Sequence, residues 1–286
     1  MKYMKKRDMN GSRKTDTKGT PRGNPLNVAL ENRDAPIMTI VADAIRHREV
    51  VLAYQPIMQA KAPFGTAFYE GFMRVLDETG RIIPAREFMG QVEATELGRK
   101  LDCIALEQGL RVLQRNPMQR LSINMSARSI GYTEWNNVLG RFLRKDAALA
   151  ERLMLEIDAD SAMQMPELVV DFMDRQQPKG IAFALDNFGR GATNIRNLCD
   201  FFFDAVKIDG QFVRNVADDA DNAAAVRSLV AIAQEFEMLI IANNVERLED
   251  AEFLAQNSVD CLQGRLFGAP TINPPWSDKQ DERKRA

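Results

Sequence analysis

Side chains that carry oxygen recur at or near the ends of short apolar runs along this chain. Glu70, Asn124, Glu156 and Asp186 each stand in this position. Carboxylate and amide oxygens are the ligands that Mg²⁺ and Mn²⁺ prefer in proteins. Lys207 stands in a further apolar run, where an ammonium group suits contact with a phosphate or the positioning of a water molecule. The residue types therefore predict metal-dependent hydrolysis or binding of a phosphodiester.

The run from Ile181 to Leu185 has the clearest form. It is short, continuously apolar and bounded by Gly180 and Gly189, which predicts a strand buried on both faces, as in a parallel sheet. Asp186 follows this strand directly. Ligands of parallel sheets bind beyond the carboxyl ends of the strands, so Asp186 is a candidate site residue. This segment alone leaves open the alternative that Asp186 only caps a helix.

The spacing of the apolar runs predicts a (β/α)8 barrel, similar to a TIM barrel. The predicted strands are Val51–Ile57, Thr66–Phe72, Arg120–Met125, Arg152–Ile157, Ile181–Asp186, Asp204–Ile208, Met238–Ala242 and Val259–Leu262. The helical segments include Ile37–Ile45, Arg86–Leu97, Leu101–Gln114, Pro166–Gln176 and Asn222–Glu237. Residues 58–65 are too few for a crossover helix, so the first strand is predicted to pair antiparallel with the second. A doubly wound open sheet is the alternative.

The composition suits a soluble globular protein of one large domain. The chain is 45% hydrophobic and 27% charged, with a formal net charge of -2, so no overall basic field indicates a nucleic acid polymer as partner. We divide it into a disordered basic tail (residues 1–35), a barrel domain (36–272) and a charged C-terminal tail (273–286). No apolar stretch approaches the roughly 18 residues of a membrane span, and no secretory signal precedes the domain.

The cysteines and the single histidine narrow the chemistry further. Cys103, Cys199 and Cys261 have no metal-ligand spacing and are predicted to be reduced core residues of a cytoplasmic protein. His47 is the single histidine, and it lies in a basic helical segment before the first strand. A chain with one histidine in that position is not expected to use a histidine base or to form a histidine-rich zinc site. Any metal in this chain must therefore be held by oxygen.

Short motifs at the predicted strand ends resemble those of the EAL-domain family, which is named for a Glu-Ala-Leu motif and hydrolyses the bacterial second messenger cyclic di-GMP. The resemblance covers about Ile45 to Pro270. The matching motifs are Tyr54-Gln55-Pro56-Ile57, Glu70-Gly71-Phe72-Met73-Arg74 in place of Glu-Ala-Leu-x-Arg, Ile123-Asn124-Met125-Ser126, Leu155-Glu156-Ile157, Ala184-Leu185-Asp186-Asn187-Phe188-Gly189, Lys207-Ile208-Asp209, Ala242-Asn243-Asn244-Val245-Glu246 and Asp260-x-x-Gln263-Gly264.

The resemblance implies an irregular barrel, often dimeric, that depends on Mg²⁺ or Mn²⁺ and binds the dinucleotide across the strand ends. Matched residue by residue, it implies catalytic roles for Lys207 and Glu246. The implied ligand contacts are Gln55, Arg74, Asp209 and Gln263, and the implied metal ligands are Glu70, Asn124, Glu156 and Asp186.

Three positions depart from the family pattern. The family has two adjacent aspartates after the fifth strand, the second serving a second metal, and Asn187 replaces that second aspartate. Asn243 replaces the first glutamate of Ala-Glu-Gly-Val-Glu, and Ala159 replaces the glutamate that braces the glycine loop. An amide contributes a dipole where a carboxylate contributes a full charge. We therefore expect one residual Mg²⁺ or Mn²⁺ site, or no metal site.

These departures predict a bacterial signalling regulator that is inactive or nearly inactive as a phosphodiesterase. Three interpretations stay open. The chain could be a non-catalytic receptor that binds cyclic di-GMP and signals to a protein partner, or a protein-interaction module that no longer binds nucleotide. It could also be a weak metal-dependent phosphodiesterase that produces linear pGpG. A protein partner and a homodimer are both expected, and whether the chain is an enzyme is left open.

Overall fold

The computed structural model describes residues 37–61, 65–191 and 195–276. The predicted basic tail, residues 1–35, lies outside these ranges, as do residues 277–286 of the predicted C-terminal tail. Helix α1 covers residues 37–47 and leads into the first strand. The remaining helices are α2 Met89–Val92, α3 Glu96–Arg115, α4 Thr133–Leu143, α5 Ala159–Gln164, α6 Pro166–Gln176, α7 Ile195–Leu198, α8 Gly210–Val213, α9 Ala220–Glu235 and α10 Leu248–Gln256.

Eight strands close into a barrel, which confirms the predicted fold class. The strands are β1 Val50–Gln59, β2 Thr66–Leu76, β3 Ile82–Pro84, β4 Leu121–Asn124, β5 Leu153–Asp158, β6 Ala182–Phe188, β7 Ala205–Ile208, β8 Leu239–Ala242 and β9 Cys261–Gln263. Their order is β1-β9-β8-β7-β6-β5-β4-β2-β3, and β1 also pairs with β2. The short strand β3 is an addition outside the barrel, paired with β2.

The first strand runs against its neighbours, as predicted. β1 pairs antiparallel with β2, with Gln55 opposite Glu70, and antiparallel with β9, with Ile57 opposite Gln263. The other neighbours in the barrel pair in parallel. The short link between β1 and β2 leaves no room for the helix that a parallel crossover needs. The carboxyl ends of the parallel strands therefore meet at one mouth of the barrel, which also receives the beginning of β1.

The inside of the barrel has an apolar layer below a polar one. The apolar layer is a separate core cluster made of Ile57, Phe68, Ala184, Ala205, Ile241 and Cys261. Side chains alternate between the two faces of a strand, so the residue two positions nearer the mouth points inward as well. On β1, β2, β7 and β9 that residue is Gln55, Glu70, Lys207 and Gln263, and all four are buried. The alternation of side chains along a strand thus places one polar side chain from each of these four strands in the same layer.

The predicted helix Arg86–Leu97 is wrong. The chain instead forms a 3-10 turn at Ala85–Glu87 and the short helix α2, and a turn at residues 93–95 separates α2 from α3, which begins at Glu96. Thr95 caps α3 by accepting a hydrogen bond from the backbone of Leu97. A Cβ at Gly98 would lie 2.6 Å from the carbonyl oxygen of Val92, so a glycine is needed for this close approach between the start of α3 and the end of α2. The predicted helix Pro166–Gln176 is confirmed as α6.

The described end of the chain packs on the barrel. Thr271 forms an antiparallel bridge with Tyr54 on β1. The ring of Trp276 lies 5.3 Å from that of Tyr54 and 4.4 Å from that of Tyr69, centroid to centroid. Among the helices that the structure describes, none combines the length and the hydropathy of a membrane span.

Candidate functional site

A buried lysine joins carboxylates from three other strands at the mouth of the barrel. Nζ of Lys207 on β7 lies 2.6 Å from Oε2 of Glu70 on β2 and 2.6 Å from Oε2 of Glu156 on β5. It lies 3.8 Å from Oδ1 of Asp186 on β6. The Lys207 side chain is only 1% exposed. The three carboxylates that the sequence nominated as metal ligands are thus brought together, with an ammonium group among them.

Three side-chain amides complete this layer. Nδ2 of Asn124 donates to Oε1 of Glu70 at 2.6 Å, and Nε2 of Gln263 donates to Oε2 of Glu70 at 2.7 Å. Nε2 of Gln263 also reaches Oε1 of Gln55 at 3.3 Å, and Gln55 donates to the carbonyl oxygen of Gly268. Both oxygens of Glu70 are therefore satisfied by the protein itself.

Two carboxylate oxygens in the same layer have no hydrogen-bond donor. Oε1 of Glu156 and Oδ1 of Asp186 are buried and accept no hydrogen bond from the described residues. A buried polar atom without a partner is costly, because it has lost its water and gained nothing in exchange. These two oxygen atoms therefore mark a position where a bound cation would be stabilised.

The charges in the cluster do not balance. When all four groups are ionised, the three carboxylates of Glu70, Glu156 and Asp186 face one ammonium group, that of Lys207, and the cluster has a net charge of -2. Burial raises the pKa of Glu156 to about 8, with Glu70 and Asp186 adding to the effect of burial. Burial also raises the pKa of Asp186. The two residues that carry the oxygens without donors are therefore the ones that most readily hold a proton, which a bound cation would displace.

The other two members are held in their charged forms. Burial alone would raise the pKa of Glu70, but the charge and hydrogen bond of Lys207, with the hydrogen bonds of Gln263 and Asn124, outweigh it and lower that pKa. Burial alone would lower the pKa of Lys207, and the carboxylates of Glu156 and Glu70 raise it instead. Glu70 and Lys207 therefore form the firmly ionised pair of the cluster.

The carboxylate oxygens of the cluster are of the type that binds one hard divalent cation, although they are not arranged as a complete metal site. Two donor-free carboxylate oxygens and a net charge of -2 match the ligand preference and the charge of Mg²⁺ or Mn²⁺. Within the described ranges, no group of three or more His, Cys, Asp or Glu side chains is arranged so that it could hold a metal ion. The Lys207 ammonium lies between Glu70 and Glu156, which keeps these two carboxylates from closing on a common cation.

Asn187 bridges two acidic residues at the same mouth. Its Nδ2 donates to Oδ2 of Asp158 at 2.8 Å and to Oδ2 of Asp186 at 3.2 Å. Asp158 and Asp186 are partners in the parallel register of β5 and β6. Asn187 has a φ of 58°, a left-handed conformation that asparagine adopts more readily than most residues. A neutral amide therefore sits between two carboxylates where the resembling family has its second aspartate.

The sequence interpretation overlooked Asp158. This residue caps α5 by accepting a hydrogen bond at Oδ1 from the backbone of Ser161, 3.1 Å away, and it accepts from Asn187 with its other oxygen. An aspartate just before a helix is a recognisable capping signal. Its second role depends on the pairing of β5 with β6, which the sequence does not display. Ala159, the next residue, is the buried first residue of α5.

Glu246 and Asn243 make their hydrogen bonds outside the lysine cluster. Oε1 of Glu246 accepts from Nε and Nη2 of Arg265 at 2.9 and 2.6 Å, and the Glu246 side chain is 43% exposed. Oδ1 of Asn243 accepts from the backbone of Asn244. Asp209 caps α8 by accepting from the backbone of Gln211. The structure thus places the predicted residues in one buried cluster and a more exposed rim.

Arg74 stands on the rim above Glu70. Glu70, Phe72 and Arg74 alternate along β2 and so share one face of the strand. The Arg74 guanidinium lies 5.7 Å from the centre of the Phe72 ring, and its Nη1 donates to the carbonyl oxygen of Met73. Burial and the nearby charge of Arg86 lower the pKa of Arg74. Two neighbouring cations at the mouth favour an anionic ligand.

A separate cavity of about 640 Å³ opens at the opposite end of the barrel. Its lining includes Gln59 at the end of β1 and Ala67, Leu153 and Leu239 at the beginnings of parallel strands. None of the residues of the lysine cluster lines it. The polar chemistry therefore lies at the carboxyl-terminal mouth, apart from this cavity.

Comparison with known proteins finds relatives over most of the chain. Residues 39–270 match the family model described as EAL domain. Cyclic di-GMP phosphodiesterase PdeF of Escherichia coli K12 is 26% identical over 82% of this chain and 32% of its own length. Cyclic di-GMP phosphodiesterase PdeB of Shewanella oneidensis is 27% identical over 83% of this chain and 28% of its own length. The chain spans about a third of the length of these curated relatives.

Solved structures share the fold. One titled PaMucR phosphodiesterase, c-di-GMP complex, has a TM-score of 0.72 and 24% identity, and covers 82% of this chain and 97% of its own. The FimX EAL domain of Pseudomonas aeruginosa bound to c-di-GMP has a TM-score of 0.75 and 21% identity, and covers 82% of this chain and 96% of its own. At these identities the likeness establishes the barrel architecture.

Proposed function

Because this chain belongs to the EAL domain family, we propose that it is a bacterial signalling regulator that binds cyclic di-GMP at the carboxyl-terminal mouth of its barrel and hydrolyses it slowly or not at all. The ligand comes from the relatives, several of which are named as cyclic di-GMP phosphodiesterases. Two neighbours of the same fold are titled as complexes with this nucleotide. In keeping with the sequence, we propose that the chain acts in the cytoplasm and passes its state to a protein partner, with a homodimer as a further expected form.

The Asn187 bridge carries the proposal of weak or absent hydrolysis. Two-metal hydrolysis of a phosphodiester uses two cations about 3.5–4 Å apart to stabilise the attacking and the leaving oxygen. With all its carboxylates ionised, the lysine cluster has an excess of two negative charges, enough for one divalent cation. Asn187 adds no charge and already bonds Asp158 and Asp186, so no full carboxylate is free at that point for a second cation.

We propose that one Mg²⁺ or Mn²⁺ occupies the residual site, held by Glu156 and Asp186 with Glu70 and Asn124 beside them. When bound, such an ion would polarise a phosphoryl oxygen as a Lewis acid. Lys207 keeps Glu70 and Glu156 in register by its two hydrogen bonds of 2.6 Å. Gln263 orients Glu70 from the other side. These residues bind and align, whether or not hydrolysis follows.

Arg74 is the proposed contact for a phosphate of the dinucleotide. It is half-buried at the rim, and within the described residues it forms no ion pair with a carboxylate. An arginine without a carboxylate partner is free to make charge-assisted hydrogen bonds to a phosphate. Phe72 lies beside it, where the family has the leucine of Glu-Ala-Leu, and gives the ligand floor an aromatic surface.

Isothermal titration of the protein with cyclic di-GMP and Mg²⁺ tests the nucleotide site, with Arg74→Ala compared against Arg81→Ala. Arg81 stands on the same β2–β3 hairpin, is exposed and has only a 4.0 Å contact with Glu87, so it is the matched control. We expect the wild-type protein to bind saturably. The affinity should fall about tenfold or more in Arg74→Ala, because one charge-assisted contact is lost, and should stay within about twofold of the wild type in Arg81→Ala. Absence of saturable binding by the wild-type protein contradicts a nucleotide receptor and leaves the protein-interaction module.

A weak phosphodiesterase is the second candidate, because Glu70, Glu156, Asp186 and Lys207 are all retained and gathered. Prolonged incubation of cyclic di-GMP with stoichiometric protein and Mn²⁺, followed by chromatography for linear pGpG, separates the two. Product formation that disappears in Glu156→Gln would establish the weak enzyme. Absence of product with intact binding would establish the receptor.

A further inference from the structure

We propose that an exposed basic groove over α3 binds an acidic segment of a protein partner through its charge and an apolar floor. The basic groove is defined by five cations, Arg48, Arg111, Arg115, Arg141 and Lys145, around one carboxylate, Glu107. This inference rests on the proposed function in one respect, because the groove is where the protein partner proposed above would bind. The groove shares no residue with the lysine cluster or with Arg74, so the two proposals can fail separately.

The basic groove consists of two adjoining cavities. The first, of about 580 Å³, lies between α3 and the end of α1, and Ile45, Val50 and Ile104 form its apolar floor. The second, of about 260 Å³, lies between α3 and α4 and is lined by Arg141, Phe142 and Lys145. Both cavities include Glu107 and Arg111, so they meet over the middle of α3.

The charge of the groove opposes that of the chain. Five cations and one carboxylate give it a net charge of +4, whereas the whole chain has a formal net charge of -2. Oε1 of Glu107 accepts from Nη2 of Arg111 at 2.7 Å and from Nη2 of Arg141 at 2.9 Å. One carboxylate therefore serves two guanidinium groups and leaves the pair with a surplus positive charge.

The remaining three cations have no carboxylate of their own. Arg48, Arg115 and Lys145 are exposed, and within the described residues none of them lies within ion-pair distance of an acidic side chain. Like charges held near one another repel, and an acidic partner relieves that repulsion. The surface is therefore complementary to a segment that presents several carboxylates.

The frame of the groove is fixed before a partner arrives. Nε2 of Gln108 on α3 donates to the carbonyl oxygen of Val50 at 2.5 Å, which joins the helix to the start of β1. Glu107 fixes Arg111 and Arg141 against each other across α3 and α4. Fixed side chains lose less conformational entropy on binding than free ones.

The apolar floor favours a protein segment as the occupant. Ile45 and Ile104 are half-buried and line the same cavity as three of the cations, so the cavity can take an apolar side chain flanked by carboxylates. A nucleic acid backbone would offer no such apolar side chain to the floor of the cavity. The chain's own ends do not suit the groove, because residues 1–36 have nine basic and four acidic residues and residues 277–286 have four and three.

Fluorescence anisotropy with synthetic probes tests the proposal on the full chain. The main probe is a labelled helical peptide of about three turns, with leucines on one face and glutamates beside them. A second peptide carries glutamine in place of glutamate, and a labelled oligouridine of the same net charge represents nucleic acid. The groove variant combines Arg115→Glu with Lys145→Glu. The control combines Arg175→Glu with Arg214→Glu, which lie on other elements and change the net charge equally.

We expect saturable binding of the glutamate peptide that weakens about tenfold or more in the groove variant and by less than about twofold in the control. The glutamine peptide and the oligouridine should bind at least about tenfold more weakly than the glutamate peptide. Thermal unfolding verifies that both variants fold, and the single changes Arg115→Gln and Lys145→Gln replace the groove variant if it does not. No saturable binding, equal losses in both variants, or equal binding of oligouridine would each overturn the proposal.

Discussion

The side-chain amide of Asn187 donates to Oδ2 of Asp158 across 2.8 Å, joining the ends of β6 and β5. The same nitrogen reaches Oδ2 of Asp186 at 3.2 Å. The neutral amide thus holds two carboxylates close together, as a bound cation would do through its charge. The mouth of this barrel is therefore closed at one point by a hydrogen bond within the chain.

Changing Asn187 to Asp should turn that bond into a repulsion. Three carboxylates would then meet, and without divalent ions we expect the free energy of unfolding to fall by about 1–3 kcal/mol. Mn²⁺ should recover the loss, because an ion that binds the folded state alone stabilises it by mass action. Thermal unfolding with and without Mn²⁺ measures both effects. Asn187→Ala is the control, because it removes the amide without adding charge, and an equal response of both variants to Mn²⁺ would contradict the prediction.

Lys207 is predicted to be essential to the stability of the barrel. Replacing it with Met leaves Glu70 and Glu156 buried without a counter-charge, which typically costs about 3–5 kcal/mol. Adding Glu156→Gln should recover part of the loss, since one buried charge is then removed. Denaturant unfolding of the two single variants and the double variant gives the coupling free energy. Lys179→Met, in the 3-10 turn that follows α6, controls for loss of a lysine. A strictly additive double variant would refute the coupling.

The sequence predicts the barrel well because its signals are local. Continuous apolar runs such as Ile181–Leu185, with glycines at both ends, identify buried strands without knowledge of their partners. The short link after Ile57 was enough to predict the antiparallel first strand. The helix predicted over Arg86–Leu97 failed because the turn between α2 and α3 brings Gly98 against the backbone of Val92, a contact that no local pattern shows.

The sequence predicts which residues form the polar layer but not which hydrogen bonds they make. Strand-end positions identified Glu70, Glu156, Asp186 and Lys207, which the barrel gathers. Which oxygen pairs with which nitrogen depends on the register between strands that lie far apart in sequence. The Asp158 bond to Asn187 follows from that register, and so did not emerge from the sequence.

Asp102 should make stability depend on pH. It is buried in α3 and accepts hydrogen bonds from the backbone of Ser126 and the hydroxyl of Ser129. Burial raises its pKa from 3.8 to about 7. The folded protein therefore holds the proton more tightly than the unfolded chain, and the free energy of unfolding falls as the pH rises from about 4 to about 7.

The variant Asp102→Asn keeps an oxygen that accepts hydrogen bonds but cannot ionise. At pH 8 we expect it to be more stable than the wild type by on the order of 2 kcal/mol, with little difference at pH 4. Denaturant unfolding at several pH values measures the difference. Asp77→Asn is the control, because Asp77 is only partly buried and its pKa is lowered. An advantage of Asp102→Asn that stays constant from pH 4 to pH 8 would exclude this group as the source.

Gly71 should accept alanine, the residue that the Glu-Ala-Leu motif has there. A Cβ added at Gly71 would lie 3.4 Å from Cδ1 of Leu52 and 3.6 Å from the carbonyl oxygen of Ser122, both ordinary contacts. Because alanine loses less backbone entropy on folding than glycine, Gly71→Ala should raise the free energy of unfolding by about 0.5–1 kcal/mol. Gly98→Ala is the contrasting variant, since its Cβ would lie 2.6 Å from the backbone oxygen of Val92 and should cost more than about 2 kcal/mol. Denaturant unfolding ranks the three proteins, and destabilisation by Gly71→Ala would mean that β2 tolerates no side chain at this position on the face opposite Glu70 and Phe72.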